Sequence, residues 1–266
     1  MASCRTQLAY EKCFKAWRIL VMQVKSAMPV KAVLFDMFDT LMLIEKDHAF
    51  YNPSLKRAHS FLVKKGIKVR FIDFKNAYIR ARDALYVEAD AKLEEPHFNV
   101  RISNALRRLG FSVVANSGVV AGATNAFCEG FMEYVRIDEY AVEVLRKLQG
   151  KYKLGIVSNF AIPECVVKLL EIHGLDKFFD VVVVSATVNK RKPSPEIFQQ
   201  ALEKLGVGAA ETVFVGDTVD ADIKGAKDMG MKTIFIERRV QKEAEQVCPD
   251  QIIKSLSELT AALERC

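Results

Sequence analysis

The sequence predicts a doubly wound parallel α/β sheet with a helical domain inserted after the first strand. Short apolar runs that stop abruptly at polar residues indicate the strands, and helical patterns alternate with them. In one long stretch, 44–135, that alternation fails.

The runs at 31–35, 153–157, 181–184 and 212–215 read as buried strands, followed by a fifth at 232–236 and a short sixth at 252–253. Their continuous apolar character suits parallel strands covered on both faces. Helical periodicity occupies 140–148, 163–173, 195–205, 220–229 and 256–263 between and after them. The core is therefore assigned to 29–43 and 136–266. Within 44–135 the helical patterns are 55–64, 74–89, 100–109 and 124–134, with a loop at Asn116-Ser117-Gly118. The placement of this segment between the first two core strands makes it a helical cap over the site.

Residues 1–28 stand apart. Arg5, Lys12, Lys15, Arg18 and Lys25 face the single acid Glu11, and Leu8, Trp17, Leu20, Val21 and Val24 can line one side of a helix. Targeting peptides share that Arg-rich, acid-poor bias, but a secretory signal lacks its apolar core here. The segment is read as a peripheral extension outside the chemistry.

Composition narrows the function. A 266-residue chain that is 50% hydrophobic can bury one sizeable core and a smaller domain. The net charge of +6 is spread thinly. Arg107-Arg108, Arg238-Arg239 and Lys190-Arg191-Lys192 form no basic tract with interleaved aromatics, so a small anionic substrate is expected rather than nucleic acid. No apolar run suggests a membrane span. The six cysteines, Cys4, Cys13, Cys128, Cys165, Cys248 and Cys266, have no metal-ligand spacing, and they read as thiols of a cytoplasmic protein.

In an open parallel sheet, ligands gather beyond the carboxyl ends of the strands. Asp36-Met37-Phe38-Asp39-Thr40 follows the first strand and Ser158-Asn159 the second. Lys192-Pro193 lies in the loop after the third, and Gly216-Asp217, with Asp222 beyond, follows the fourth. Such a set can bind a divalent cation through Asp36 and Asp217 and a phosphate through Ser158 and Lys192. Alternatively, Ser158 caps the helix containing Val166, Thr40 and Asp222 are caps or turn formers, and Lys192 belongs to a solvated basic trio. Arg80 and Arg82 fall in the insertion, where a solvated helix face accounts for them.

The segments Phe35-Asp36-x-x-Asp39-Thr40-Leu41, Val157-Ser158-Asn159, Lys192-Pro193-x-Pro195-x-Ile197-Phe198 and Val215-Gly216-Asp217-x-x-x-x-Asp222-x-x-Gly225-Ala226-Lys227 resemble the four ordered motifs of the haloacid dehalogenase superfamily. The resemblance runs from about Val30 onward and implies a Rossmann-like core, with a small helical cap after the first motif. It implies that Asp36 is the nucleophile and forms a covalent aspartyl intermediate. Mg²⁺ would be held by Asp36, the Phe38 carbonyl and Asp217, with Asp222 positioning metal-bound water or Lys192. Ser158 and the Asn159 amide would hold the transferring group, Lys192 would neutralise charge, and Thr40 would fix the nucleophile's rotamer.

Two departures pull in opposite directions. Phosphatases of the superfamily carry a second Asp, the general acid, where this chain has Phe38. Haloacid dehalogenases lack that acid but also lose the one held here by Asp217. The retained Asp217 puts a Mg²⁺-dependent phosphatase acting on a small phosphorylated metabolite first. A metal-free 2-haloacid dehalogenase comes second, and a binding or regulatory protein with little turnover third.

Overall fold

The computed structural model describes residues 29–45, 49–238 and 247–266. The expected extension at 1–28 lies outside them.

Six strands form one parallel sheet in the order β5-β4-β1-β6-β7-β8. They are β1 (Ala32–Phe35), β4 (Lys153–Ser158), β5 (Val181–Val184), β6 (Thr212–Gly216), β7 (Lys232–Ile236) and β8 (Gln251–Ile253). β1 is fully buried in the middle, and its alternate residues enter different cores. Val33 and Phe35 join the larger apolar cluster, while Ala32 and Leu34 join the smaller one. That two-sided burial is why the sequence shows unbroken apolar runs.

The helices α5 (Ala141–Leu148), α6 (Pro163–Ile172), α7 (Ser185–Val188), α8 (Pro195–Leu205), α9 (Lys224–Asp228) and α10 (Leu259–Leu263) complete the core. α8 starts with Pro195 in its first turn and ends at Gly206 with φ 65°. Proline loses no needed N–H at a helix start, and glycine accepts left-handed backbone without a Cβ clash. The pattern expected at 220–229 resolves into one wide turn, Val219–Ile223, followed by the short α9.

Between β1 and β4 lie α1 (Tyr51–Lys64), α2 (Phe71–Asp90), α3 (Phe98–Arg108) and α4 (Gly118–Met132). α1 packs on α4, and α2 on α3. Ser117 caps α4 by accepting from the Val120 N–H, so Gly118 begins a helix instead of lying in the expected loop. Two further strands, β2 (Met42–Ile44) and β3 (Val135–Ile137), pair antiparallel where the chain leaves and re-enters the core. The sequence reading has no counterpart for them, because three residues are too few to show a period.

Candidate active site

Sheet register builds the site. Phe35 pairs with Ile156 on one side and Val215 on the other. Asp36, Ser158 and Asp217 therefore emerge together at the carboxyl edge, and the Asp36 N–H still bonds the Val215 carbonyl. Just beyond, Asp39 adopts φ 59° and accepts from the Ile44 N–H at 3.1 Å. Asp tolerates this left-handed backbone better than most residues because its short side chain bonds locally.

Lys192 arrives from the loop between α7 and α8. Its Nζ lies 2.6 Å from Asp36 Oδ1 and 2.7 Å from Asp222 Oδ1. The other Asp222 oxygen accepts from the Thr218 N–H at 3.0 Å, so both its oxygens are engaged in fixing Lys192 and the loop after β6. Asp222 also packs against Gly216, where a Cβ would fall 2.5 Å from Oδ2. Any side chain at 216 displaces that carboxylate. The rest of the basic trio reaches back to the insertion. Arg191 pairs with Asp90 of α2, and Lys190 donates to the Lys92 carbonyl.

The electrostatics follow from burial. Desolvation pushes the Asp36 carboxyl up to about 6, against the pull of Lys192. Burial, then the neighbouring charges of Asp36 and Asp222, push Asp217 up to about 8. Burial lowers the affinity of Lys192 for its proton, but Asp222 and Asp36 outweigh it and hold the ammonium above its ordinary value. Asp36, Asp217 and Asp222 present oxygens within 4.8 Å of one another. Crowded carboxylate oxygens of this kind could hold a hard divalent cation. Asp36 and Asp217 are the better placed, since both oxygens of Asp222 are already engaged, by Lys192 and by the Thr218 N–H.

Two hydroxyls are fully buried with no hydrogen-bond partner among the described residues: Ser158 Oγ and Thr40 Oγ1. A buried polar atom without a partner costs stability unless a ligand supplies one. Ser158 is no helix cap, since α6 starts at Pro163 behind Ile162. Thr40 makes no bond to Asp36, so its expected role in fixing that rotamer has no contact behind it. The Asn159 side chain bonds the Lys192 backbone in both directions, Oδ1 accepting from its N–H at 2.7 Å and Nδ2 donating to its carbonyl at 3.0 Å. Asn159 thus locks the loop that delivers Lys192.

A family model of haloacid dehalogenase-like hydrolases matches residues 30–230. The chain belongs to that family. It is 29% identical over 230 residues to the glyceraldehyde 3-phosphate phosphatase of Methanopyrus kandleri, covering 84% of this chain and 91% of that one. Its fold is similar to a 2-haloacid dehalogenase from Pseudomonas syringae pv. Tomato DC3000, with a TM-score of 0.69 and 24% identity, covering 89% of this chain and 99% of that one. A HAD phosphatase from Thermococcus onnurineus gives a TM-score of 0.58 at 25% identity, covering 88% of this chain and 98% of that one.

Against the family pattern, this hydrolase replaces an acid with an aromatic cluster. Phe38 sits 5.5 Å from the Phe131 ring of α4 and 4.8 Å from Phe160, which directly follows Ser158-Asn159. The sequence reading singled out neither partner. Phe127 and Phe131, four apart on one helix, were the available signal. Of the arginines considered in the insertion, Arg80 is exposed and Arg82 pairs with its neighbour Asp83. The buried one is Arg101, held by Glu95 at 2.9 Å and by the Tyr86 hydroxyl.

The cysteines also depart from expectation. Cys128 of α4 and Cys165 of α6 form a disulfide, with Cα atoms 5.7 Å apart, joining the insertion to the core. Cys248 is an exposed free thiol and Cys266 a half-buried one. Spacing could not reveal a pair 37 residues apart on two separate helices.

Proposed function

We propose that this hydrolase is a Mg²⁺-dependent phosphatase of a small phosphorylated metabolite, working through Asp36. The observation that carries it is the buried group Asp36, Asp217, Asp222 and Lys192 beside the unpartnered Ser158 hydroxyl. Mg²⁺, bound by Asp36, Asp217 and the Phe38 carbonyl, would keep the carboxylates ionised and offset phosphoryl charge. Asp36 attacks phosphorus, and the ester oxygen leaves with the bonding electrons. Water then cleaves the aspartyl phosphate, releasing inorganic phosphate. Lys192 balances charge between nucleophile and phosphoryl group, Asp222 and Asn159 position Lys192, and Ser158 donates to a phosphoryl oxygen. The Asn159 side chain is committed to Lys192, which leaves its backbone N–H for the substrate. Residues 44–135 act as the cap and 29–43 with 136–266 as the core, in a cytoplasmic protein. Among the described residues, no helix is long and apolar enough to cross a membrane.

The phosphatase name of the M. kandleri relative supports this reading. Phe38 favours the 2-haloacid dehalogenase as the second reading, since halide leaves without protonation. Phosphate and halide release, each measured with Mg²⁺ and with chelator, separates the two. The expected result is chelator-sensitive phosphate release that Asp36→Asn abolishes. Chelator-resistant halide release installs the dehalogenase reading instead, and no turnover of either class leaves the binding-protein alternative.

A further inference from the structure

The substrate's leaving group can be read from the surroundings of Phe38. Where the insertion meets the core, a cavity of about 170 Å³ opens beside Asn159. Phe50 and Tyr51 of the insertion, Phe98 at the start of α3, Phe127 of α4 and Phe160 of the core line it, with Arg101. The walls brace one another: Phe98 and Phe127 stack with ring centres 4.5 Å apart, and Tyr51 meets Phe127 edge-on at 5.8 Å. The insertion is anchored here, since the Phe98 N–H bonds the Ala161 carbonyl at 2.9 Å. Ser185 fixes the other wall by accepting from the Phe160 N–H at 2.9 Å. An apolar cavity of roughly 150 Å³ is enough for a benzene ring.

The cavity and the phosphoryl site share a wall. Asn159, which locks Lys192, lines the cavity, and Phe160 stacks on Phe38, two residues from Asp36. A phosphate held at Ser158 and Lys192 therefore has its ester oxygen beside an aromatic chamber. That chamber offers no acid at position 38 to protonate it. The cavity's charged pair is self-contained, because Glu95 and Tyr86 already bind Arg101. Arg101 Nε alone is buried there without a hydrogen-bond partner among the described residues.

We propose that the cavity seats the leaving group of an aryl phosphate monoester, an assignment that rests on the phosphatase reading above. Two independent observations converge on it. The aromatic walls select a planar apolar group, and the absence of an acid at Phe38 requires an oxygen that departs unprotonated. When Asp36 attacks phosphorus, the aryl C–O bond stays intact and the P–O bond breaks. The aryl oxide carries off the electron pair and takes its proton from solvent. Hydrolysis of the aspartyl phosphate returns a proton, so the sum is ester plus water giving phenol plus phosphate.

The experiment combines turnover with binding, in the full-length protein with Mg²⁺. Phenyl phosphate is compared with an alkyl ester such as glyceraldehyde 3-phosphate, and phenylphosphonate with methylphosphonate as non-hydrolysable probes. The expected kcat/KM ratio of aryl to alkyl is ~10² or more, the contribution of a missing general acid. Phenylphosphonate binds roughly tenfold or more tightly than methylphosphonate, as burying a ring requires. Phe127→Leu, which keeps apolar bulk but removes a flat face, narrows that binding ratio. Equal affinity for the two phosphonates, or a ratio unmoved in folded Phe127→Leu, overturns the seat. Alkyl turnover equal to aryl overturns the leaving-group assignment while leaving a phosphatase in place. Failure to release phosphate from any ester removes the phosphatase reading itself, and the phosphonate comparison still decides whether the cavity holds a ring.

Discussion

Replacing Ser158 by alanine separates the demands of the fold from those of the chemistry. The side chain is fully buried at the end of β4, and its hydroxyl has no hydrogen-bond partner among the described residues. Burying an unsatisfied hydroxyl costs about 1–3 kcal/mol in proteins. Ser158→Ala removes that cost and leaves a void of only one oxygen, so the ligand-free protein should gain on the order of 1 kcal/mol. For a chain of this size that is a rise of roughly 2–4 °C in Tm. In the proposed mechanism the same change deletes a donor to the phosphoryl group, and loss of such a donor typically lowers kcat by ~10²–10³. Thermal unfolding without phosphate and a phosphate-release assay with Mg²⁺ read the two effects, and they should move in opposite directions. A third reading ties them together: inorganic phosphate should raise the Tm of the parent more than that of the variant. A variant that melts several degrees lower and turns over unchanged would show that Ser158 serves packing alone.

Three other outcomes follow from the same geometry. Asp217 has its carboxyl raised to about 8 in the fold from an ordinary 3.8. The folded form therefore binds the extra proton between those values, and Asp217 costs increasing stability as pH rises through that window. Asp217→Asn should accordingly stabilise the metal-free protein, by on the order of 2 kcal/mol at pH 8 and less at pH 5; a pH-independent Tm difference counts against a carboxyl raised by burial and neighbouring charge. The same variant should lose Mg²⁺-dependent turnover. Phe38→Asp should raise alkyl-ester turnover more than aryl, recovering part of the ~10²–10⁴ of a general acid. It should also destabilise the fold by breaking the ring contacts with Phe131 and Phe160; equal gains on both ester classes would mean protonation was never limiting. Reduction of Cys128–Cys165 opens a 37-residue loop, worth about 4 kcal/mol by chain entropy, and should lower Tm on the order of 10 °C. A Tm indifferent to reductant, matched by Cys165→Ser, would refute the cross-link's contribution.

What the sequence discloses depends on the range of the interaction. Asp36, Ser158 and Asp217 were legible because each directly follows a buried strand, and parallel register brings such positions to one edge. Lys192 was legible only through the prolines and the family pattern around it. Asn159 could be placed near the substrate, but not in its embrace of the Lys192 backbone, which spans 33 positions of sequence. The cavity walls were hidden for the same reason. Phe50, Phe98, Phe127 and Phe160 come from different segments, and each alone reads as an ordinary core residue on its own element. Asp222 was left between two roles, and only its pair of contacts, to Lys192 and to the Thr218 N–H, favours one.

The position of β1 has a consequence for how the enzyme comes into being. The strand that leads into Asp36 precedes its sheet neighbours in sequence, yet it occupies the interior of the sheet between β4 and β6, which begin at Lys153 and Thr212. During synthesis its two edges, with their unpaired backbone groups, have no partners until much of the chain has followed, and closing such distant pairings is slow. In that interval the run from Ala32 to Phe35 is a sticky segment that a growing chain must shield. No amino-terminal fragment ending before β6 contains Asp217 or the second neighbour that aligns Asp36. The site can therefore be complete only once β6 has joined the sheet.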